Sequence, residues 1–292
     1  MVILLLISNK KYELGCRIVH KDINYDDAIE ITDGIYWVGF PDTNAGFHCN
    51  VYIIVDNDEA VVIDSGSRNE FSTVMLKIMK TGTNPRSITR LIYQHHDPDL
   101  CGNIPQMEAI IDNPDLKIIS HSLDTTFIRY YSVKSPIQCI EELDYSFEFS
   151  SGRRLKFIHV PFSHSPGNFI TFDEKTKTLF SSDIFGAFDY NWSLYSEISK
   201  KCQRCNTIKA CVVTGDKCQW TGMLEFHRQY MPSTNALKYA LKKIEKLDIS
   251  IIAPQHGSIH SNENSIEVVI KRLKALDSVG FDYYESVADL SD

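Results

Sequence analysis

The 292-residue chain has no long hydrophobic run, no excess of basic residues, no internal repeat and no low-complexity linker. Its apolar start, Met1 to Ile7, stops at Ser8-Asn9-Lys10-Lys11. That is far short of the roughly 20 residues a membrane-spanning helix needs. No basic segment precedes it and no small-residue cleavage site follows, so it does not read as a secretory leader. The expectation is a lead-in or edge strand over residues 1–30 and a cytoplasmic protein with no membrane partner. The formal charge is −8 with no basic stretch, which argues against a nucleic-acid partner. The eight cysteines fall in a chain too large to need a disulfide framework, so reduced thiols are expected.

What is present is an ordinary globular composition, 43% hydrophobic and 23% charged, long enough to bury a large core. Val-, Ile- and aromatic-rich runs at 31–40, 49–55 and 60–64 read as strands, the last two joined as a hairpin by Asp56-Asn57-Asp58-Glu59. A helix is predicted over 70–80. Strand and helix then alternate: strand 88–94, helix 104–111, strand 117–120, helix 122–131. Strands return at 147–149, 155–160, 169–172 and 178–181. Leu237, Ala240, Leu241, Ile244 and Leu247 recur at helical spacing, as do Ile266, Val269, Ile270, Leu273 and Leu276. Between them Ile249 to Ala253 reads as a short buried strand. The mixture predicts an α/β fold, a four-layer αβ/βα sandwich of two mixed sheets, over residues 31–292. Residues 199–219 are polar and read as an excursion from it.

Ligand-type side chains stand just past four of these strands. His95, Asp97 and Asp99 follow the run ending at Gln94, His164 follows 155–160, Asp183 follows 178–181, and His256 follows 249–253. Strand ends are where open α/β folds place their sites. Taken singly each residue has a plainer reading: a surface imidazole, an Asp-Pro-Asp turn, a helix cap. Together they suit a pair of metal ions.

The order His95-His96-Asp97-Pro98-Asp99, His164-Ser165-Pro166-Gly167, Ser182-Asp183-Ile184-Phe185-Gly186 and Ala253-Pro254-Gln255-His256-Gly257 resembles the metallo-β-lactamase superfamily. Within it the chain is similar to the flavodiiron branch, and most of all to stand-alone oxygen-binding diiron proteins, through His95-x-Asp-Pro-Asp and Phe226 to Ser233. Asp64-Ser65-Gly66 matches the superfamily's Asp-x-Gly turn. The resemblance covers about residues 31–274. It implies that His95, Asp97 and His164 bind one metal, that Asp99 and His256 bind the other, and that Asp183 bridges them. Hydrolytic relatives carry His where this chain has Asp97, and another where it has Leu100. Oxygen-rich donors lean towards iron or manganese and multi-His sites towards zinc. The flavodiiron pattern has Glu at the position of Asp97.

The expectation is therefore a non-haem diiron protein, holding two Fe ions, that binds or reduces dioxygen or a related small oxidant. It would act as an oxygen sensor, a scavenger or a reductase. FMN is not expected in this chain, so a separate electron donor or a signalling protein would be the partner, and a homodimer stays open. The alternative is a dinuclear zinc hydrolase of esters, thioesters or lactones. Cys202, Cys205, Cys211 and Cys218 read as free loop thiols, with a structural metal or a redox role as alternatives. Among the thiols Cys101, two residues after Asp99, is expected to matter most. His48-Cys49-Asn50 is a candidate for the cleft lining. Tyr190, Trp192, Tyr195 and Tyr230 are candidate shields.

Overall fold

The computed structural model describes residues 23–42, 46–189, 192–196, 198, 202 and 218–288. The first sheet has seven strands in chain order: β1 (Ile29–Thr32), β2 (Ile35–Trp37), β3 (Tyr52–Asp56), β4 (Glu59–Ile63), β5 (Ile88–Ile92), β6 (Lys117–Ser120) and β7 (Ile137–Cys139). Its first four strands pair antiparallel and the rest parallel. The second sheet contains β8 (Ser146–Glu148), β9 (Arg154–His159), β10 (Phe169–Asp173), β11 (Thr178–Phe180) and β12 (Ile251–Ala253), in the order β12-β11-β10-β9-β8. Only β11 and β12 run parallel.

Strand side chains alternate between faces, and here both faces are apolar. Tyr52, Ile54, Val61 and Ile63 point inward, where they meet Phe157, Phe169 and Phe180 of the second sheet. Ile53, Val62, Leu91 and Ile118 point outward, under helices α1 (Phe71–Lys80) and α3 (Ile104–Ile111). The short turn α2 (Pro98–Cys101) precedes α3, and α4 (Ser122–Ile128) follows β6. On the other side Ile170, Leu179 and Ile252 face α5 (Gln219–Tyr230), α6 (Thr234–Ile244) and α7 (Glu263–Lys274). Three apolar interfaces between four layers make the predicted αβ/βα sandwich, and the largely exposed helix α8 (Phe281–Ala288) follows it in the chain.

Two expectations need correction. The run 31–40 is two strands, because Gly34 turns the chain with φ +70° and a Cβ there would lie 2.4 Å from Val55 O. The excursion ends one residue early, since Gln219 already opens α5. Residues 1–22 of the lead-in, and most of 199–217 with Cys205 and Cys211, lie outside the described residues, as does Tyr190. Among the described residues no helix is long and apolar enough to cross a membrane.

Candidate metal centre

All six predicted donors converge where the carboxyl ends of strands from both sheets meet. His95 leaves β5, Asp97 caps α2 from its N-terminal side, and Asp99 sits within that turn. Leu100 is fully buried in the outer core and its carbonyl accepts from the Ser65 backbone N–H (3.0 Å) and hydroxyl (2.8 Å). Leu100 thus anchors the loop that carries the two aspartates. Asp64 accepts from the Gln94 N–H at 3.2 Å, which pins the loop's first residue, and burial pushes its carboxyl well above the usual range.

Each histidine is held by one ring nitrogen and presents the other. The Ser182 hydroxyl donates to Asn168 Oδ1 at 2.8 Å, so His95 Nδ1, 3.0 Å from the same hydroxyl, is the donor to it. His256 Nδ1 donates to His48 O at 2.9 Å. His164 Nε2 lies 2.7 Å from Asp97 Oδ2. That leaves His95 Nε2, His256 Nε2 and His164 Nδ1 facing inward. Such anchoring fixes the ring and tautomer of a metal-binding imidazole.

Asp183 stands between them. Its Oδ2 lies 3.3 Å from His164 Nδ1 and 3.8 Å from His95 Nε2, while its Oδ1 lies 3.6 Å from His256 Nε2. His256 Nε2 is also 3.1 Å from Asp99 Oδ2, which accepts from Gln255 Nε2 at 2.9 Å. The donor atoms of His95, His164 and Asp183 fall within 4.8 Å of one another, as do those of Cys49, Asp99 and His256. Asp97 stands at the rim of the first group, its Oδ2 3.9 Å from His95 Nε2.

The turn delivering Asp183 is strained: Ser182 and Phe185 both adopt positive φ, 52° and 70°. Buried His227 on α5 braces it, with Nδ1 donating to Met223 O (2.8 Å) and Nε2 accepting from the Phe185 N–H (3.3 Å). Burial lowers the His227 pKa to about 4, so the ring stays neutral and able to accept.

Electrostatics mark the pocket as a cation site. Burial alone would raise the Asp97 pKa, but the His164 hydrogen bond and the neighbouring imidazoles hold it at about 2. Burial would lower that of His164, but Asp183 and Asp97 bring it to about 9. For His256 burial also opposes the charge, and the Asp99 contact outweighs it, raising the pKa well above the ordinary value. Asp97 and Asp99 therefore favour the ionised form, and His164 and His256 beside them hold protons when no metal is present. Asp183 Oδ1 and His164 Nδ1, both shielded from water, have no hydrogen-bond partner. Orphaned buried atoms of this kind are costly unless something else satisfies them. The residues fit a dinuclear metal group.

Some neighbours stand where expected and others do not. The Cys101 thiol turns to His95 O (3.6 Å) and is fully buried, whereas Cys49 faces the second donor group. His96 bonds Asp124 (2.9 Å) and lies 3.9 Å from Asp97 Oδ1, behind the site. Tyr230 stands 6.4 Å from the His164 ring, but Trp192 packs on His48 and Trp37 instead. Phe47, stacked on His256 at 3.9 Å, continues with Phe188 and Phe226 into an apolar wall. Gln255 and His227 lie inside stretches that carry the resemblance but had no role assigned to them, and Phe47 carried no sequence signal of its own.

The sandwich with His and Asp donors at its strand ends defines a protein of the metallo-β-lactamase superfamily, in the branch the motifs pointed to. More particularly, the chain belongs to the ODP family beta lactamase group, which it matches over residues 47–257. It is 28% identical over 256 residues to an uncharacterized protein of Methanocaldococcus jannaschii, covering 80% of this chain and 56% of that one. It is 24% identical over 246 residues to a nitric oxide reductase of Moorella thermoacetica, covering 79% and 57%. The chain thus spans little more than half the length of these curated relatives. Among solved structures it is similar to a peroxy diiron form of the chemotaxis sensor ODP, with 26% identity, a TM-score of 0.69 and coverage of 89% of this chain and 99% of that one.

Proposed function

We propose that this chain is a non-haem diiron protein that binds dioxygen, or a related small oxidant, and reports or removes it. His95, Asp97 and His164 would hold one iron, Asp99 and His256 the other, with Asp183 between them. The observation that carries the reading is the division of Asp183, one carboxylate oxygen facing each imidazole group. When bound, two ferrous ions supply two electrons to an oxidant.

The chain's own residues do the rest. Asp97 puts a hard oxygen where a zinc hydrolase would carry His, which favours iron. Leu100 offers no donor, so coordination room is left on the Asp99 side. Phe47, Phe188 and Phe226 form an apolar wall there that keeps water off the reacting position. Sustained turnover would draw electrons from a separate donor, and a sensor would instead pass its state to a signalling partner in the cytoplasm.

The test is metal analysis followed by an optical spectrum after anaerobic reduction and exposure to dioxygen or nitric oxide. Two irons per chain and an oxidant-dependent band are expected. Two zinc ions with no such band, together with steady thioester or lactone hydrolysis, would overturn the proposal. A single stoichiometric response without added reductase assigns binding or sensing, whereas continued consumption with a donor assigns reduction.

A further inference from the structure

The second donor group contains a residue that the resemblance does not supply. The Cys49 sulfur lies with the Asp99 and His256 donor atoms, all within 4.8 Å of one another. Only 5% of Cys49 is exposed.

Its position is built by the backbone around it. Cys49 bridges Phe40, whose N–H donates to Cys49 O at 3.2 Å. On either side, the chain is bolted to the loop that carries His256. His48 O accepts from His256 Nδ1, and the Asn50 N–H donates to Gln255 O at 2.7 Å. Asn50 Nδ2 donates to both Pro254 O and Gly257 O at 2.9 Å. The backbone that carries the sulfur is therefore tied directly to the loop that carries the His256 ring. A second observation points at the same spot: Asp183 Oδ1, buried and without a hydrogen-bond partner, faces His256 Nε2 at 3.6 Å.

We propose that Cys49 is a thiolate ligand of the second metal, completing a set with Asp99, His256 and Asp183 where Leu100 contributes nothing. This rests on the dinuclear reading above. It adds a soft, anionic donor to a group otherwise made of oxygen and imidazole, so the two metals differ in character: one held by nitrogen and oxygen alone, the other also by sulfur. Soft thiolate donors shift a site's preference among first-row metals, and they carry strong ligand-to-metal charge-transfer absorption.

The experiment loads metal-free protein with cobalt(II) alone and follows the near-ultraviolet sulfur-to-cobalt band against bound cobalt. Wild type is expected to bind two cobalt ions and to show the band as the Cys49 half fills. Cys49→Ser is expected to lose the band, while Cys101→Ser and Cys202→Ser keep it. Should Cys49→Ser lose its native circular dichroism, Cys49→Ala is read in its place. Cobalt K-edge absorption of the wild type gives an answer independent of any variant, since a sulfur neighbour sits at about 2.3 Å and nitrogen or oxygen near about 2.1 Å, as they do around zinc. Two bound cobalt ions with no band and no sulfur neighbour overturn the thiolate and leave the dinuclear reading intact. A band that survives in Cys49→Ser assigns the sulfur elsewhere and also overturns it. Fewer than two bound cobalt ions in the wild type overturn the dinuclear reading itself.

Discussion

Replacing Asn50 with Ala should unfasten the second metal's half of the site from the first sheet. Asn50 is 1% exposed and uses both ends of its amide. Its Oδ1 accepts from Trp37 Nε1 at 2.8 Å, and its Nδ2 serves two carbonyls of the His256 loop. Those carbonyls keep one donor each, Tyr52 OH for Pro254 and Trp192 Nε1 for Gly257. The Trp37 N–H keeps none that the structure offers. Each of the two lost carbonyl bonds is worth about 1 kcal/mol and the orphaned Trp37 donor about 1–3 kcal/mol, so the loss should be roughly 3–5 kcal/mol. With a urea slope of about 2 kcal/mol/M, the midpoint falls by roughly 1.5–2.5 M. Tyr52→Phe removes a single bond from Pro254 O and should cost only about 1 kcal/mol. Metal content in Asn50→Ala should fall from two ions towards one, with the charge-transfer band lost first. A destabilisation below about 1 kcal/mol with both ions retained would refute the clamp.

Asp183→Asn should lower the occupancy of both metals together by metal analysis, because one carboxylate faces both imidazole groups; loss of one ion only would refute the bridge. In the metal-free protein the His164 pKa of about 9 lies above its unfolded value, so the stability it contributes is present below about pH 6.5 and fades as pH rises through 9. The Asp97 pKa of about 2 lies below its unfolded value, so its share is present above about pH 4 and fades as pH falls towards 2. Urea midpoints of metal-free wild type should therefore decline between neutral pH and pH 9, and Asp97→Asn should flatten that decline. Gly257→Ala places a side chain at φ +84°, 2.9 Å from the Ala187 Cβ, and should cost about 1–3 kcal/mol in urea while weakening metal uptake through the adjoining His256. His227→Phe should leave the fold intact but release the Phe185 N–H, reducing metal affinity without touching a donor.

The layers were legible because nearly every core strand is apolar on both faces, so runs such as Tyr52–Asp56 and Phe169–Asp173 stand out regardless of register. β7 was missed because Ile137-Gln138-Cys139 is three residues long with only intermediate burial. In α5 the buried stripe Trp220, Met223, Leu224 and His227 has helical spacing, but a histidine and polar neighbours dilute it. The six candidate donors stand out in the sequence because each lies beside a strand end and a turn signal, and the fold brings them together. Cys49 reads only as cleft lining together with His48 and Asn50, since a small residue between β2 and β3 shows no direction of its own in the sequence. Cys101, two residues from Asp99 along the chain, turns its thiol to His95 O, since nearness in sequence does not fix the direction of a side chain on a helical turn.

The donors divide evenly between the sheets. His95, Asp97 and Asp99 hang from β5, and His164, Asp183 and His256 from β9, β11 and β12. Any ion held among them is a rivet through both halves of the molecule, and its binding energy counts against their separation. Amide exchange in β5 and β11 should slow in step when metal is added.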